Sequence, residues 1–202
     1  PMTTPSFLMI GIAGGSASGK TTFARSVAKA AGSEQAIILE LDRFYRPLRP
    51  DANEADFNFD EPSAIDFALV ESVISQLLKN GYADAPVYDF ATHDRKGYKP
   101  FFAAPLVIVE GLLALWHEPL RELLHFKLFV DAPDHVRFER RLDRDIRERG
   151  RGRESVERQW RTTVLPMHHC YVEPTRMHAD RLVDGQGDLD QTALSIFGQY
   201  LQ

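Results

Sequence analysis

The sequence predicts an α/β fold: a mostly parallel sheet flanked by helices on both faces. Short apolar runs without polar alternation recur at 7–13, 36–41, 106–109, 126–131 and 181–183, as expected of strands buried on both faces. Segments with helical periodicity separate them, the pattern of a parallel sheet with crossover helices. The first run leads into a glycine-rich turn and then a helix. Sheets of this kind bind ligands beyond the C-terminal ends of their strands.

The first strand feeds Gly14, Gly15, Ser16, Ala17, Ser18, Gly19, Lys20, Thr21 and Thr22. This reads G-x-x-x-x-G-K-T, the phosphate-loop pattern, in the strand–loop–helix context that the pattern needs. Glycines let the backbone curl with its N–H groups inward around an anion. The following helix, to Ala31 and Gly32, adds unpaired N–H groups and a partial positive charge. Lys20 is expected to reach the β- and γ-phosphates of a nucleotide, and the Thr21 hydroxyl to bind Mg²⁺. The expected fold is therefore that of a P-loop NTPase.

The second strand, 36–41, ends at Asp42, and the Pro-, Asp- and Asn-rich stretch 43–62 reads as a loop or broken helix. Ser63 is expected to cap a helix running to Asn80, with Ile65, Leu69, Val73, Ile74, Leu77 and Leu78 on one face. Residues 86–103 suggest a β-hairpin turning near 93–97. Strand 106–109 is followed by Glu110 and Gly111, and strand 126–131 by an Arg-rich helix from Asp134 to about Glu148. A second helix to about Tyr171, a short strand at 181–183 and a helix at 188–201 complete the reading.

At 202 residues, one domain is expected over 1–202. Hydrophobic content of 44% and charged content of 26% are ordinary for a globular protein. A formal net charge of -5 gives no global attraction to nucleic acid or to an acidic membrane. A single cysteine, Cys170, fits a reducing compartment, and there is neither a basic-then-apolar signal nor an apolar run of membrane-spanning length. A cytoplasmic location is expected.

Phosphoryl transfer needs a metal, a group that handles the acceptor's proton, and cations for the transition-state oxygens. Asp42 and Glu110, at strand ends beside a phosphate loop, are the natural acids, and Asp131 ranks third. The arginines between 137 and 153 admit three readings: a solvated face paired with Glu139, Asp143, Asp145 and Glu148, a nucleic-acid patch, or a lid over ATP. Mixed signs argue against nucleic acid, and Gly150 and Gly152 suit a lid over about 140–172. His168, His169, Cys170 and His178 match no standard zinc spacing. Asp184-Gly185-Gln186-Gly187 reads as a loop near the nucleotide base.

These motifs resemble the uridine kinase (uridine–cytidine kinase) family. The resemblance runs through 11–22, 41–45, Phe57-Asn58-Phe59-Asp60-Glu61-Pro62, 86–95, 109–113, 140–159, 166–169 and 179–180, nearly the whole chain in the family's order. It implies transfer of the ATP γ-phosphate to the 5′-hydroxyl of uridine or cytidine, in pyrimidine salvage. It implies Asp42 as general base, with Thr21, Asp42 and Glu110 around Mg²⁺. Asp60 and Arg151 match the residues holding the ribose hydroxyls. Phe59, Tyr88 and Phe90 match the wall around the base, and His93 the reader of the pyrimidine edge. Arg141 and Gln159 complete that pocket, Arg144 and Arg149 match lid residues near the phosphates, and Asp188 lies near the ATP adenosine. A homo-oligomer, typically a tetramer, is implied as well. Because an imidazole can donate or accept, use of both uridine and cytidine is expected.

Three positions depart from the family's usual pattern: Leu41 and Arg43 beside Asp42, and Trp160 in place of Tyr. Arg43 either points away or lowers the pKa of Asp42. The nearest alternative functions are phosphoribulokinase, pantothenate kinase, or an ATP-binding regulator without an acceptor. The aromatic segment 88–93 favours a nucleoside over the first two.

Overall fold

The computed structural model describes residues 7–32, 34–48 and 57–201. Five strands form a parallel sheet: β1 (Leu8–Gly14), β2 (Ala36–Glu40), β5 (Leu106–Glu110), β6 (Phe126–Asp131) and β7 (Arg181–Asp184). Their order is β2-β5-β1-β6-β7. The remaining two, β3 (Tyr82–Asp89) and β4 (Asp94–Phe102), form a separate antiparallel hairpin. β1 sits centrally, with Leu8 opposite Leu106 of β5 and Ile10 opposite Phe126 of β6.

Successive side chains of each strand enter opposite cores. Met9, Leu39, Val107, Val109 and Phe129 pack with the hairpin and with α2 (Phe67–Asn80). Ile10, Ile12, Ile108, Leu128 and Val130 pack with α1 (Lys20–Ala31) and α7 (Leu189–Tyr200). Burial on both faces explains the unbroken apolar runs, each large side chain contributing about 1.5–3 kcal/mol.

The other helices are α3 (Glu118–Leu123), α4 (Asp134–Arg147), α5 (Arg153–Gln159) and the single turn α6 (Leu165–Met167). The short α3, which buries Leu120, was not anticipated. α5 and α6 belong to one continuous helical run. A π-turn at Trp160–Val164 separates them, another follows at His168–Val172, and a 3-10 stretch at Glu173–His178 ends the run. Pro166 has no N–H to donate, which suits a ladder that widens on both sides of it.

Three local expectations are corrected. The helix expected from Ser63 starts at Phe67, capped by Asp66, whose carboxylate accepts the Leu69 N–H at 3.3 Å. Pro62–Ala64 form a 3-10 turn, Ser63 turns to Glu61, and Ile65 is held extended by a bridge to Tyr45. Burial of Ile65 beside Tyr45 outweighs the capping propensity of Ser63. The hairpin begins at Tyr82 and turns at 90–93, before the expected 93–97. Asp89 sets that turn by accepting the Ala91 N–H at 2.9 Å and the Thr92 hydroxyl at 2.8 Å. Gly97 instead lies within β4 at φ 105°, where the register shifts between Pro86 and Tyr88. Of the loop expected over 43–62, residues 49–56 lie outside the described residues.

Candidate active site

β1 ends in the phosphate loop, where Gly14 and Gly19 adopt φ 152° and 104°, and Ala17 adopts φ 62°. A Cβ on Gly14 would lie 2.4 Å from the Val130 carbonyl oxygen, so only glycine fits there. α1 follows with no side-chain cap and no acidic residue in its first turn. Its N-terminal N–H groups therefore suit an anion in the loop.

Three arginines of α4 grip the loop from behind. Arg137 donates to the Ser16 carbonyl at 3.4 Å. Arg140 donates to the carbonyls of Ser18 at 3.3 Å and Gly185 at 3.0 Å. Arg141 donates to the Ser16 hydroxyl at 2.7 Å. The carbonyls of Ser16 and Ser18 are thus taken by arginines, and the Ser18 N–H closes the turn on the Gly15 carbonyl at 3.1 Å. Arg137 and Arg140 were missed as site residues, although 137, 140, 141 and 144 follow the i, i+3, i+4, i+7 spacing of one helix face.

The acids come from the adjacent strands β2 and β5, where Glu40 lies opposite Glu110. Glu110 is buried, accepts the Thr21 hydroxyl at 3.2 Å, and lies 4.0 Å from Lys20 Nζ. Asp42 follows in a 3-10 turn, Leu41–Phe44, and is open to solvent within a cleft deep in protein. Desolvation raises its pKa, and Glu40 adds to the rise. Lys20, Arg149 and a hydrogen bond from Tyr45 oppose it. Desolvation likewise raises Glu110 and Asp60. Arg43 turns back to Glu40, Nε to Oε2 at 3.3 Å, and so points away from Asp42.

The cleft thus gathers Asp42, Glu110 and Asp60 around Lys20, and all three carboxyls are raised. Two carboxylates and a hydroxyl form a hard oxygen set that fits Mg²⁺. Among the described residues no three His, Cys, Asp or Glu side chains form a metal cage. Mg²⁺ in phosphoryl transfer takes one or two carboxylates together with substrate phosphates.

Beyond Asp42 lies an aromatic wall. Tyr45 stands at its centre, 5.4 Å from Phe59 and 5.7 Å from Tyr88 between ring centroids. Phe59 meets His93 at 4.9 Å, and Tyr88 meets the largely exposed Phe90 at 5.2 Å. Tyr45, which caps the end of the 3-10 turn at Leu41–Phe44, was missed as a site residue. Asp60 is buried, its backbone N–H bonds Asn58 Oδ1 at 3.1 Å, and Arg141 is the strongest cation acting on its carboxyl. Gln159 Oε1 accepts from Arg141 at 2.9 Å and from Arg151 at 2.8 Å. The expected residues of the acceptor side are thereby brought together.

Arg144 and Arg149 both lie on Asp145, at 2.9 and 3.4 Å. Arg147 pairs with Asp143 at the surface, as the solvated-face reading expects, and Arg153 pairs with Glu157. Asp188 is exposed and caps α7 by accepting the Gln191 N–H at 2.9 Å. The next residue, Leu189, lies 3.4 Å from a Cβ built on Gly19, which places this cap beside the loop. Asp131 pairs with Arg176 at 3.0 Å. His168 and His169 face Glu173 and Asp134.

The profile of the Phosphoribulokinase / Uridine kinase family matches residues 9–191. A protein of Chloroflexus aggregans named "Uridine kinase" is 43% identical over 183 residues, 89% of this chain and 88% of that protein. One of Deinococcus deserti with the same name is 41% identical, over 93% of this chain and 92% of its own length. The solved phosphoribulokinase from Rhodobacter spheroides superposes with a TM-score of 0.64 at 17% identity. The match covers 90% of this chain and 73% of that one.

Proposed function

Because this chain belongs to the phosphoribulokinase/uridine kinase family, we infer that it transfers the γ-phosphoryl group of ATP to the 5′-hydroxyl of uridine or cytidine. The observation that carries this reading is the joining of two half-sites at Asp42. On one side lie the phosphate loop, Lys20 and Glu110; on the other lie Asp60, Arg141 and the aromatic wall around Tyr45. A phosphoryl acceptor without a flat base has no use for such a wall.

The loop residues 14–22 hold the triphosphate through backbone N–H groups, with Lys20 as a point charge beside it. Thr21, Asp42 and Glu110 would hold Mg²⁺, whose chemistry is to neutralise charge on the β- and γ-phosphate oxygens. Asp42 accepts the proton of the 5′-hydroxyl, and its raised pKa suits it to that task. Tyr45 donates to the Asp42 carboxylate and fixes its orientation. Asp60 accepts from the ribose hydroxyls beside Arg141, the strongest cation on that carboxyl, and Arg151, tied to Arg141 through Gln159, completes the hold on the diol. His93, at the hairpin turn beside Phe59, reads the edge of the pyrimidine. Arg144 and Arg149 stabilise the transferring phosphoryl group, and the region 140–172 acts as their lid. Asp188 lies toward the adenosine. A homo-oligomer is part of the same reading.

Turnover of uridine against 2′-deoxyuridine tests the diol assignment. The wild type is expected to prefer the ribonucleoside by ~10-fold or more, and Asp60→Asn to erase most of that preference. Equal use of both nucleosides by the wild type contradicts it.

A further inference from the structure

Asp145, inside α4, has no place in the reaction described so far, yet four guanidinium groups converge on it. Its side chain is fully buried. Oδ1 accepts from Arg144 Nε at 3.0 Å and Nη2 at 2.9 Å, and lies 3.4 Å from Arg149 Nη1. Oδ2 accepts from Arg151 Nη1 at 3.1 Å and lies 3.5 Å from Arg141 Nε. The two oxygens therefore divide the arginines by task. One takes the pair assigned to the phosphates, the other the pair assigned to the acceptor. The Asp145 carbonyl also accepts the Arg151 N–H at 3.0 Å, which folds the Gly150 turn back over the carboxylate. Gln159 ties Arg141 to Arg151 on the far side.

Four like charges packed this closely repel one another, and a buried carboxylate without partners is strongly disfavoured. Burial raises the pKa of Asp145, but Arg141, Arg144 and Arg149 outweigh it and hold the carboxyl below its ordinary value. We propose that Asp145 is a positioning residue for phosphoryl transfer: it holds Arg144 and Arg149 in fixed relation to Arg141 and Arg151, so that the phosphate-side and acceptor-side cations are placed together. The proposal rests on the kinase reading above. Asp145 touches neither substrate and acts through the arginines.

The test is a double-mutant cycle on Asp145→Asn and Arg149→Ala, read in three ways: kcat and KM with uridine, ATP affinity by calorimetry without acceptor, and thermal unfolding. Asp145→Asn is expected to lower kcat ~10-fold or more, and the double variant to lose less than the product of the single losses, in kcat and in ATP affinity. A purely structural Asp145 would instead lower the unfolding temperature with kcat unchanged, or give losses that multiply; either result overturns the proposal. If Asp145→Asn does not fold, Asp145→Glu keeps the charge and moves it by one methylene. Loss of kcat in that variant with a near wild-type unfolding temperature supports the proposal, and wild-type kcat overturns it. Absence of pyrimidine turnover in the wild type would refute the acceptor reading, while the coupling in ATP affinity would still decide the role of Asp145.

Discussion

Asp42 owes its role to the charges placed around it. Desolvation and Glu40 raise its pKa, and Lys20, Arg149 and Tyr45 restrain the rise. Asp42→Asn keeps the shape and removes the base, so kcat is expected to fall ~10²-fold or more with nucleoside affinity retained. Unchanged turnover would remove Asp42 from that role. The acid limb of the pH–rate profile of the free enzyme is expected above the ordinary carboxylate range, because Asp42 takes up its proton at a higher pH than an unperturbed aspartate. His168 shifts in the other direction. Burial, and then Arg137, lower its pKa from 6.5 to about 4. The folded protein keeps this imidazole neutral where the unfolded chain would protonate it. Its contribution is therefore full above pH 6.5 and is lost as pH falls toward about 4, by up to roughly 3 kcal/mol. Denaturant unfolding of His168→Phe at pH 7 and pH 4.5 is expected to show a smaller acid loss than the wild type; an equal loss contradicts the assignment. Asp42 was legible from its place after an apolar run, but Tyr45 was not, because only the folded turn reveals that its hydroxyl reaches Asp42.

At the scale of elements, the phosphate loop was legible because its interactions are local: a strand, a turn of glycines and a helix start within 8–31. The start of α2 was not, since a bridge between Tyr45 and Ile65 decides it, and no local propensity reports such a contact. The hairpin was found, but its turn was misplaced. Gly97 attracted the turn to itself, while Asp89 closes it earlier. The arginines of α4 were seen as a dense run, and only packing sorted them into loop-binding, carboxylate-bound and solvated sets. One loop contact is especially unforgiving. A Cβ on Gly185 would lie 2.2 Å from the Ser18 carbonyl and 2.8 Å from that of Asp131, both backbone atoms. Gly185→Ala is expected to destabilise the protein by about 2 kcal/mol or more and to weaken ATP binding, because Ser18 must move. A variant with wild-type unfolding and ATP affinity would show that the loop yields without consequence.

At the scale of the molecule, the strand order puts β1 between β5 and β6, so the phosphate loop opens beside the ends of β5 and β2, where Glu110 and Asp42 stand. The parallel sheet was predictable, whereas the order of its strands depends on which core faces meet. This arrangement leaves three carboxyls with raised pKa values in one cleft. In the folded state each holds its proton more tightly than in the unfolded chain. Their contribution to stability is therefore present at low pH and is lost as pH rises through the folded-state values. A bound cation offsets that loss, so Mg²⁺ with ATP is expected to raise the unfolding temperature more at pH 7.5 than at pH 5. An equal or larger rise at pH 5 contradicts this placement of the acids. The central claim concerns the acceptor, and the most direct measurement is release of ADP from ATP and Mg²⁺ with uridine, cytidine, ribulose 5-phosphate and pantothenate in parallel. The account predicts turnover with uridine and cytidine, within about 100-fold of each other, and none above background with the other two. Turnover with ribulose 5-phosphate or pantothenate and none with either pyrimidine would contradict it.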